Sequence, residues 1–240
     1  MSTKLKVNFN IKNTNTLKIM LKTCMYPGED IVEAGIDEAG RGPLFGRVYT
    51  AVVVLPKYNE NPDSNVNTRF DFSLMKDSKR FTSKKKIKAV SDYIKENAVD
   101  YAITYRNHGE IDKRNILQAT VDAMHEGISA IKRKPDHILV DGNYFRPYTY
   151  FNATKQTIQC IPHTCIPKGD NSYASIAAAS ILAKVARDEY IESLCDTYPD
   201  LDEKYDLRKN KGYGTKNHRT GISTHGTSKY HRVSFTDHLI

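Results

Sequence analysis

The sequence predicts a mixed-sheet α/β domain with a helical or irregular C-terminal appendage. Three observations indicate this class. In residues 31–36 and 99–106, apolar side chains recur at every second position, which is the period of a half-buried strand. Residues 48–55 are almost continuously apolar and β-branched, which is typical of a central strand covered on both faces. From about residue 112, apolar positions recur at helical spacing.

Composition restricts the class of protein further. The 240 residues are 27% charged and 39% hydrophobic, which is ordinary for a globular chain. The net charge of +8 favours a polyanionic partner, nucleic acid before an anionic membrane surface. No apolar run approaches the eighteen or so residues of a membrane span, and no secretory signal pattern begins the chain. Four cysteines without a Cys-x-x-Cys pair favour a reducing compartment, and we expect a cytoplasmic protein.

The first segment, residues 1–28, contains five lysines and no acidic residue, and we interpret it as a basic, flexible extension. A catalytic domain is expected over residues 29–198. The strand at 31–36 places Asp37 on the same side as Gly35, whose missing side chain leaves room beside that carboxylate. A substrate-holding extension is expected over residues 199–240.

Strands 31–36, 48–55 and 99–106 follow one another closely enough to predict an antiparallel meander. It is interrupted by a loop at 57–73 and by a basic helix that begins near Ser83.

The second half of the domain alternates helices and strands. One long amphipathic helix is predicted over 112–132, followed by a buried strand at 137–141 and a further short strand near 157–161. Asn171 or Ser172 is predicted to cap the next helix, whose small residues permit close approach to a sheet.

Four acidic residues stand at comparable places in this pattern. Asp37, Glu38 and Asp141 close two strands, and Asp170 precedes a helix. If the strands are neighbours, the carboxylates converge, and their charged forms are costly unless cations hold them. Oxygen ligands of this kind select Mg²⁺ or Mn²⁺, and two such ions support phosphoryl transfer.

A single Asp at a strand end is more often a turn or cap residue, so the neighbours of each acid matter. Gly40-Arg41-Gly42-Pro43 follows the first pair of acids. The glycines let the backbone come close to a ligand, while Arg41 can face a phosphate or a sugar. Spacing alone therefore indicates metal-dependent phosphoryl chemistry.

Six segments in order carry a more specific resemblance: 37–44 (DEAGRGPL), 140–143 (VDGN), 168–170 (KGD), 175–188 (SIAAASILAKVARD), 212–215 (GYGT) and 231–235 (HRVSF). Together they resemble the signature set of type 2 ribonucleases H, specifically the single-chain bacterial-type ribonuclease HII. The resemblance runs from about residue 31 to residue 235. It implies the ribonuclease H-like fold, a mixed five-stranded sheet flanked by helices, with a C-terminal helical extension that helps hold substrate.

The resemblance also implies an activity. Members hydrolyse the RNA strand of RNA–DNA hybrids and incise at ribonucleotides embedded in duplex DNA, leaving 3′-hydroxyl and 5′-phosphate ends. By motif position the catalytic, metal-binding residues are Asp37, Glu38, Asp141 and Asp170, which would hold two Mg²⁺ or Mn²⁺ ions. Gly40, Arg41 and Gly42 would recognise the ribonucleotide 2′-hydroxyl, and Tyr213 would stack under the sugar of the adjoining deoxynucleotide. We expect a monomer that does not bind membranes.

Several basic residues near these motifs have two interpretations. Lys168, Lys184 and Arg187 are candidate phosphate contacts, whereas Lys184 and Arg187 could instead form ion pairs with Asp188 or Glu189 along the helix. Asp188 is the reserve candidate for the fourth carboxylate.

The chain also departs from the family pattern. Phe45 and Arg47 stand where the family usually has a small residue and Pro, and residues 220–229 are less regular, which bears on substrate preference and loop geometry.

Two other functions share some of these features. A resolvase- or integrase-type DNA nuclease would use the same carboxylates, but it gives no account of Gly40-Arg41-Gly42 together with Tyr213. A non-catalytic nucleic-acid-binding domain would tolerate loss of the acids, and all four are present.

Overall fold

The computed structural model describes residues 21–27, 30–57 and 70–239. The strands are β1 (Glu33–Ala39), β2 (Val48–Val54), β3 (Asp100–Arg106), β4 (His137–Asp141), β5 (Tyr148–Asn152), β6 (Thr157–Ile161) and β7 (His163–Ile166). Five of them form a mixed sheet in the spatial order β3-β2-β1-β4-β7. Strands β1, β2 and β3 form an antiparallel meander, and β4 and β7 continue the sheet parallel to β1. The predicted mixed sheet and meander are confirmed.

Helices cover both faces of the sheet, as a buried central strand requires. They are α1 (Lys84–Asn97), α2 (His108–Arg114), α3 (Ile116–Ala130), α4 (Ala174–Thr197), α5 (Pro199–Tyr205), α6 (Leu207–Asn210), α7 (Lys216–His225) and α8 (Val233–Thr236). Ala51 and Val53 of β2 pack in the cluster formed with α1 and α4, whereas Val52 and Val54 face Met124 of α3 and its neighbours. Because the two sides of this strand contact two different cores, residues 48–55 carry almost no polar side chain.

The long helix predicted over 112–132 is wrong as a single element. It is two helices, α2 and α3, separated at Asn115, where φ is +63°. The Asn115 side chain accepts a hydrogen bond from the amide of Gln118 and so begins a new helix. The spacing of apolar residues does not predict this break, because the apolar pattern continues across it from Ile111 to Ile116.

The further short strand predicted near 157–161 is confirmed as β6. It lies outside the five-stranded sheet and pairs with β5 in a separate hairpin. The strand that pairs with β4 is β7, which is only four residues long.

Helix α4 starts later than predicted. Asn171 and Ser172 belong to a 3₁₀ turn (Gly169–Asn171) and its end, and Tyr173 precedes the helix without a side-chain capping bond.

The missing side chain of Gly35 makes room for a helix and does not leave the open space beside Asp37 that was predicted. A Cβ at this position would lie 2.2 Å from the carbonyl carbon of Ser175 and 2.4 Å from the amide nitrogen of Ile176. The room beside Asp37 is therefore filled by the first turn of α4, which the glycine allows to lie directly on β1.

The predicted extension 1–28 lies mostly outside the described residues. The part that is described, 21–27, packs on the domain: Lys22 exchanges backbone hydrogen bonds with Ser172 and Ala174, each 2.9 Å. The Glu33 carboxylate accepts from the amides of Met25 and Tyr26, at 2.8 and 2.7 Å.

The C-terminal helices α5 to α8 form a cluster of their own around Phe45, Ile191 and Tyr205. Since Phe45 follows β1, this cluster covers the loop that leaves the first strand. No helix in the described part of the chain is long and apolar enough to cross a membrane.

Candidate active site

The predicted acids lie at one edge of the sheet because β1 and β4 are parallel neighbours. Ile36 is paired with Val140, so the next residues, Asp37 and Asp141, emerge side by side. Asp170 lies on the 3₁₀ turn after β7. The amide of Gly169 in that turn donates to Asp141 Oδ1 at 2.6 Å, which ties the turn to the end of β4.

The electrostatics show that these carboxylates affect one another. Burial raises the pKa of Asp37 well above its usual range, and the charges of Glu38 and Asp141 raise it further. Hydrogen bonds from Ser180 and from the Glu38 amide partly oppose this shift. The pKa of Glu38 is raised by burial and by Asp141, against the lowering effect of Arg41.

Asp170 has a raised pKa for the same reasons: burial first, then the charges of Asp141 and Asp77. Lys79 and Asn171 lower it. Asp141 therefore acts on all three other acids, which makes it the centre of the group.

The donor chemistry fits a hard divalent cation, because carboxylates are the ligands such ions prefer and their mutual repulsion is what a cation would relieve. Within the described residues, however, no three His, Cys, Asp or Glu side chains are placed so that they could hold a metal ion. Protein donors already engage the oxygens: Arg41 Nη1 lies 3.2 Å from Glu38 Oε1, and Asn171 Nδ2 lies 3.1 Å from Asp170 Oδ1. As they lie in this structure, the four carboxylates are therefore close to one another without forming a finished metal site.

The segment 40–46, which we call the glycine loop, runs beside the acids. Gly40 has φ of +97°, and a Cβ there would lie 2.0 Å from Arg187 Nε, so only glycine fits. A Cβ at Gly42 would lie 3.7 Å from Tyr213 Cε1. The structure therefore brings the loop and Tyr213 together, and the tyrosine is 48% exposed.

Arg187 is not the phosphate contact that was predicted, nor is it paired with Asp188 or Glu189. Its side chain is buried, and it donates to three backbone oxygens: Lys211 O at 2.8 Å, and Phe45 O and Arg47 O, each at 3.2 Å. A guanidinium that is enclosed by carbonyls has no face left for substrate.

The two lysines differ from each other. Lys184 forms the predicted alternative, an i,i+4 ion pair with Asp188 at 2.6 Å. Asp188 is thereby engaged on α4, whereas Asp170 is the acid that Asp141 influences. Lys168 is exposed, next to the turn that carries Asp170, and pairs with no acidic side chain in the described ranges.

Sequence reasoning missed Ser180 and Arg232. Ser180 hydrogen-bonds the Asp37 carboxylate and also lies 3.1 Å from the Ser78 hydroxyl. Its small size suggested only helix packing. Arg232 is fully buried under the glycine loop. An arginine in a basic C-terminal segment normally indicates an exposed side chain, and no spacing distinguishes the buried case.

Comparisons with known proteins show the family of the chain. A family model described as Ribonuclease HII matches residues 34–238. Proteins named Ribonuclease HII from Bacteroides thetaiotaomicron and Bacteroides fragilis are each 44% identical to this chain. The first match covers 88% of this chain and 92% of the relative, and the second covers 86% and 90%. The crystal structure of ribonuclease H2 from Pyrococcus horikoshii OT3 has the same fold, with a TM-score of 0.64 at 22% identity over 86% of this chain and 96% of that one.

Proposed function

Since the chain belongs to the ribonuclease HII family and is a ribonuclease H acting on RNA–DNA hybrids, we propose that it also incises duplex DNA at single embedded ribonucleotides. In this proposal the scissile phosphate lies at the sheet edge, where Asp37, Glu38, Asp141 and Asp170 hold two Mg²⁺ or Mn²⁺ ions. The products carry 3′-hydroxyl and 5′-phosphate ends, and the protein acts as a monomer.

One observation carries the proposal: the parallel pairing of β1 and β4 that sets Asp37 and Asp141 side by side. Two ions bound there would activate water and stabilise the leaving oxygen. The protein's part is to present the carboxylates in a fixed order. Ser180 and the Glu38 amide orient Asp37, and the Gly169 amide orients Asp141.

Substrate selection is assigned to the glycine loop and Tyr213. Only the 2′-hydroxyl distinguishes a ribonucleotide from its neighbours, so a selective site needs backbone groups that approach the sugar closely. Gly42 is exposed and permits that approach, and the exposed ring of Tyr213 lies next to it, whereas Gly40 lets the loop pack on Arg187. The C-terminal segment, 199–239, supplies Tyr213, which supports its expected role in holding substrate.

Lys168 is the remaining candidate phosphate contact. It is exposed and lies directly before the turn that carries Asp170. Lys184 faces Asp188 instead, at 2.6 Å, so we assign it to helix stabilisation.

The metal assignment is tested by Asp141→Asn, with Asp188→Asn as the matched control. Asp141→Asn is expected to reduce cleavage of an RNA–DNA hybrid and of a duplex with one ribonucleotide by more than about 1000-fold, while binding is retained. The control removes an acid that pairs with Lys184, and it should cleave within about threefold of wild type. Cleavage that survives Asp141→Asn at a tenth or more of the wild-type rate would refute the assignment.

The role of Tyr213 is tested by Tyr213→Ala against Tyr198→Ala, another partly exposed tyrosine, which directly precedes the C-terminal segment. Loss of a sugar-stacking ring should lower kcat/KM at a single ribonucleotide by roughly 10- to 100-fold, as expected for about 1–3 kcal/mol of stacking. Binding of plain duplex DNA should not change. Equal losses in the two variants would contradict the assignment.

A further inference from the structure

We propose that His231 and Arg232 are positioning residues that hold the glycine loop and Tyr213 in a fixed relation, and so set the selectivity for a ribonucleotide. The inference rests on the proposed function, because it concerns the two parts that we assign to 2′-hydroxyl recognition. Neither side chain reaches the surface: Arg232 is 0% and His231 2% exposed. They act through the groups that they bind.

Arg232 turns the carbonyls of the glycine loop inward. Its guanidinium donates to Gly40 O at 2.7 Å, Arg41 O at 2.9 Å, Pro43 O at 2.8 Å and Gly46 O at 2.9 Å. Four carbonyls from one seven-residue loop thus converge on a single side chain. Among the described residues no carboxylate pairs with Arg232, so these carbonyls are its hydrogen-bond acceptors.

This arrangement determines where the loop amides point. A trans peptide directs its N–H opposite to its C=O, and the described chain contains no cis bond. With the carbonyls of Gly40 and Arg41 bound to Arg232, the amides of Arg41 and Gly42 point away from the protein interior. Neither amide has an acceptor among the described residues. Arg232 therefore presents two free donors on the side where a ribose hydroxyl or a phosphate would lie.

His231 connects to Tyr213 through His218. The Ser228 amide donates to His231 Nδ1 at 2.9 Å, so the proton of His231 is on Nε2. At the other end, His218 Nδ1 lies 3.0 Å from the carbonyl oxygen of Tyr213 and must donate to it. The two Nε2 atoms are 3.0 Å apart, and His231 Nε2 donates its proton to the unprotonated Nε2 of His218.

The two imidazoles are held neutral by their surroundings. Burial and the neighbouring His218 lower the pKa of His231 to about 4, and burial also lowers the pKa of His218. Near neutral pH the hydrogen-bond chain from Ser228 to Tyr213 is therefore intact. A second proton would set two N–H groups against each other.

His231 and Arg232 also connect the glycine loop to the segment that carries Tyr213. Arg232 N donates to Leu44 O, and Leu44 N donates to Gly212 O, each at 2.9 Å. The His231 ring packs edge-on against Phe45 at 5.0 Å between centroids. Phe45, where the family usually has a smaller residue, thus fills the space between the glycine loop and the histidine pair.

The test measures binding rather than turnover. In an Asp141→Asn background, which is expected not to cleave, we compare the Kd for a duplex containing one ribonucleotide with the Kd for the same all-DNA duplex. Arg232→Lys keeps a buried cation but cannot reach four carbonyls. We expect the preference for the ribonucleotide to fall roughly 10- to 100-fold, since a displacement of about 1 Å in a positioned group can cost about 100-fold.

The control is Tyr205→Phe, which removes one buried hydrogen bond, from Tyr205 Oη to Gly226 O at 2.9 Å, in the same cluster. It should lower the unfolding temperature without changing the preference. An unchanged preference in Arg232→Lys, or an equal fall in Tyr205→Phe, overturns the proposal.

If Arg232→Lys does not fold, two variants of His218 provide the test. His218→Asn retains a donor near Tyr213 O and should keep most of the preference, whereas His218→Leu should lose it. Equal preferences in these two variants overturn the proposal. If the Asp141→Asn protein itself does not prefer the ribonucleotide, the proposed function has failed. If it does prefer it and the positioning variants have no effect, only this inference has failed.

Discussion

Replacing Asp37 with Asn is expected to abolish cleavage and to stabilise the protein. The Asp37 carboxylate is 5% exposed, and its pKa is raised well above the usual range by burial, by Glu38 and by Asp141. Its negative charge therefore opposes folding when no cation is bound. An amide of nearly the same shape can still accept from the Glu38 amide, which lies 2.6 Å from Asp37 Oδ1.

The expected gain follows from these terms. Removal of a charge that burial and two neighbouring carboxylates disfavour should therefore raise the free energy of unfolding at pH 7. For a chain of this size, each kcal/mol gained raises the unfolding temperature by about 2–4 °C. We expect an increase of at least about 2 °C, measured with a chelator present.

The gain should depend on pH in a defined direction. A carboxyl whose folded-state pKa lies above its unfolded-state pKa binds more protons when folded, so wild-type stability falls as pH rises through that window. The advantage of Asp37→Asn should be absent below about pH 4, where both states of the wild-type residue are protonated. It should be complete above the raised pKa.

The assay is thermal unfolding from pH 4 to pH 8, without metal and then with added Mg²⁺. Asp188→Asn serves as the control, because Asp188 pairs with Lys184 and its removal should cost about 0.3–0.5 kcal/mol. Added Mg²⁺ should stabilise wild type more than Asp37→Asn, since binding to the folded state alone raises stability. A metal-free Asp37→Asn protein that unfolds below wild type at pH 7 would refute the reasoning.

Two further predictions concern the scaffold. Gly35→Ala should destabilise by about 3 kcal/mol, because the new Cβ would meet the Ser175 backbone at 2.2 Å, whereas Gly109→Ala in α2 should not destabilise; equal unfolding temperatures for these variants would contradict the packing argument. Glu192→Gln should lower the free energy of unfolding by about 1 kcal/mol at pH 7, because hydrogen bonds from Lys211 and Lys84 lower the Glu192 pKa to about 2. The Glu192 stabilisation is lost as pH falls through about 2, so the difference from wild type should disappear in acid; a difference that persists would count against the ion pairs.

Strong periodicity made the sheet predictable, and local exceptions made parts of it unpredictable. The strand at 137–141 and the meander follow from alternation and β-branching, which survive in any tertiary context. Strand β7 is four residues long and too short for a period to show. Asn115 ends one helix and begins another through a positive φ, which no count of apolar spacing detects.

The site divides in the same way. Asp37 and Asp141 were predictable as neighbours once two strand ends were recognised, because parallel strands end at the same edge. Arg187 was not, because its burial depends on carbonyls contributed by residues 45, 47 and 211, which are distant in sequence. Ser180 lies in a run of alanines, and its interaction with Asp37 depends on the close approach of α4 to β1, which Gly35 allows at Ser175 and Ile176.

Helix α4 contacts both parts of the proposed site: the carboxylates, and the glycine loop with Tyr213. Ser180 supports the Asp37 carboxylate, and Arg187, seven residues on, supports the glycine loop and the Lys211 carbonyl next to Gly212 and Tyr213. At 1.5 Å per residue these supports are about 10 Å apart along the helix axis. In the proposed function, the number of helical residues between Ser180 and Arg187 would therefore set the distance from the recognised 2′-hydroxyl to the cleaved phosphate. An alanine inserted between 181 and 186 would shift one half of the helix by about 1.5 Å and rotate it by about 100°, so Ser180 and Arg187 could no longer keep both sets of contacts at once.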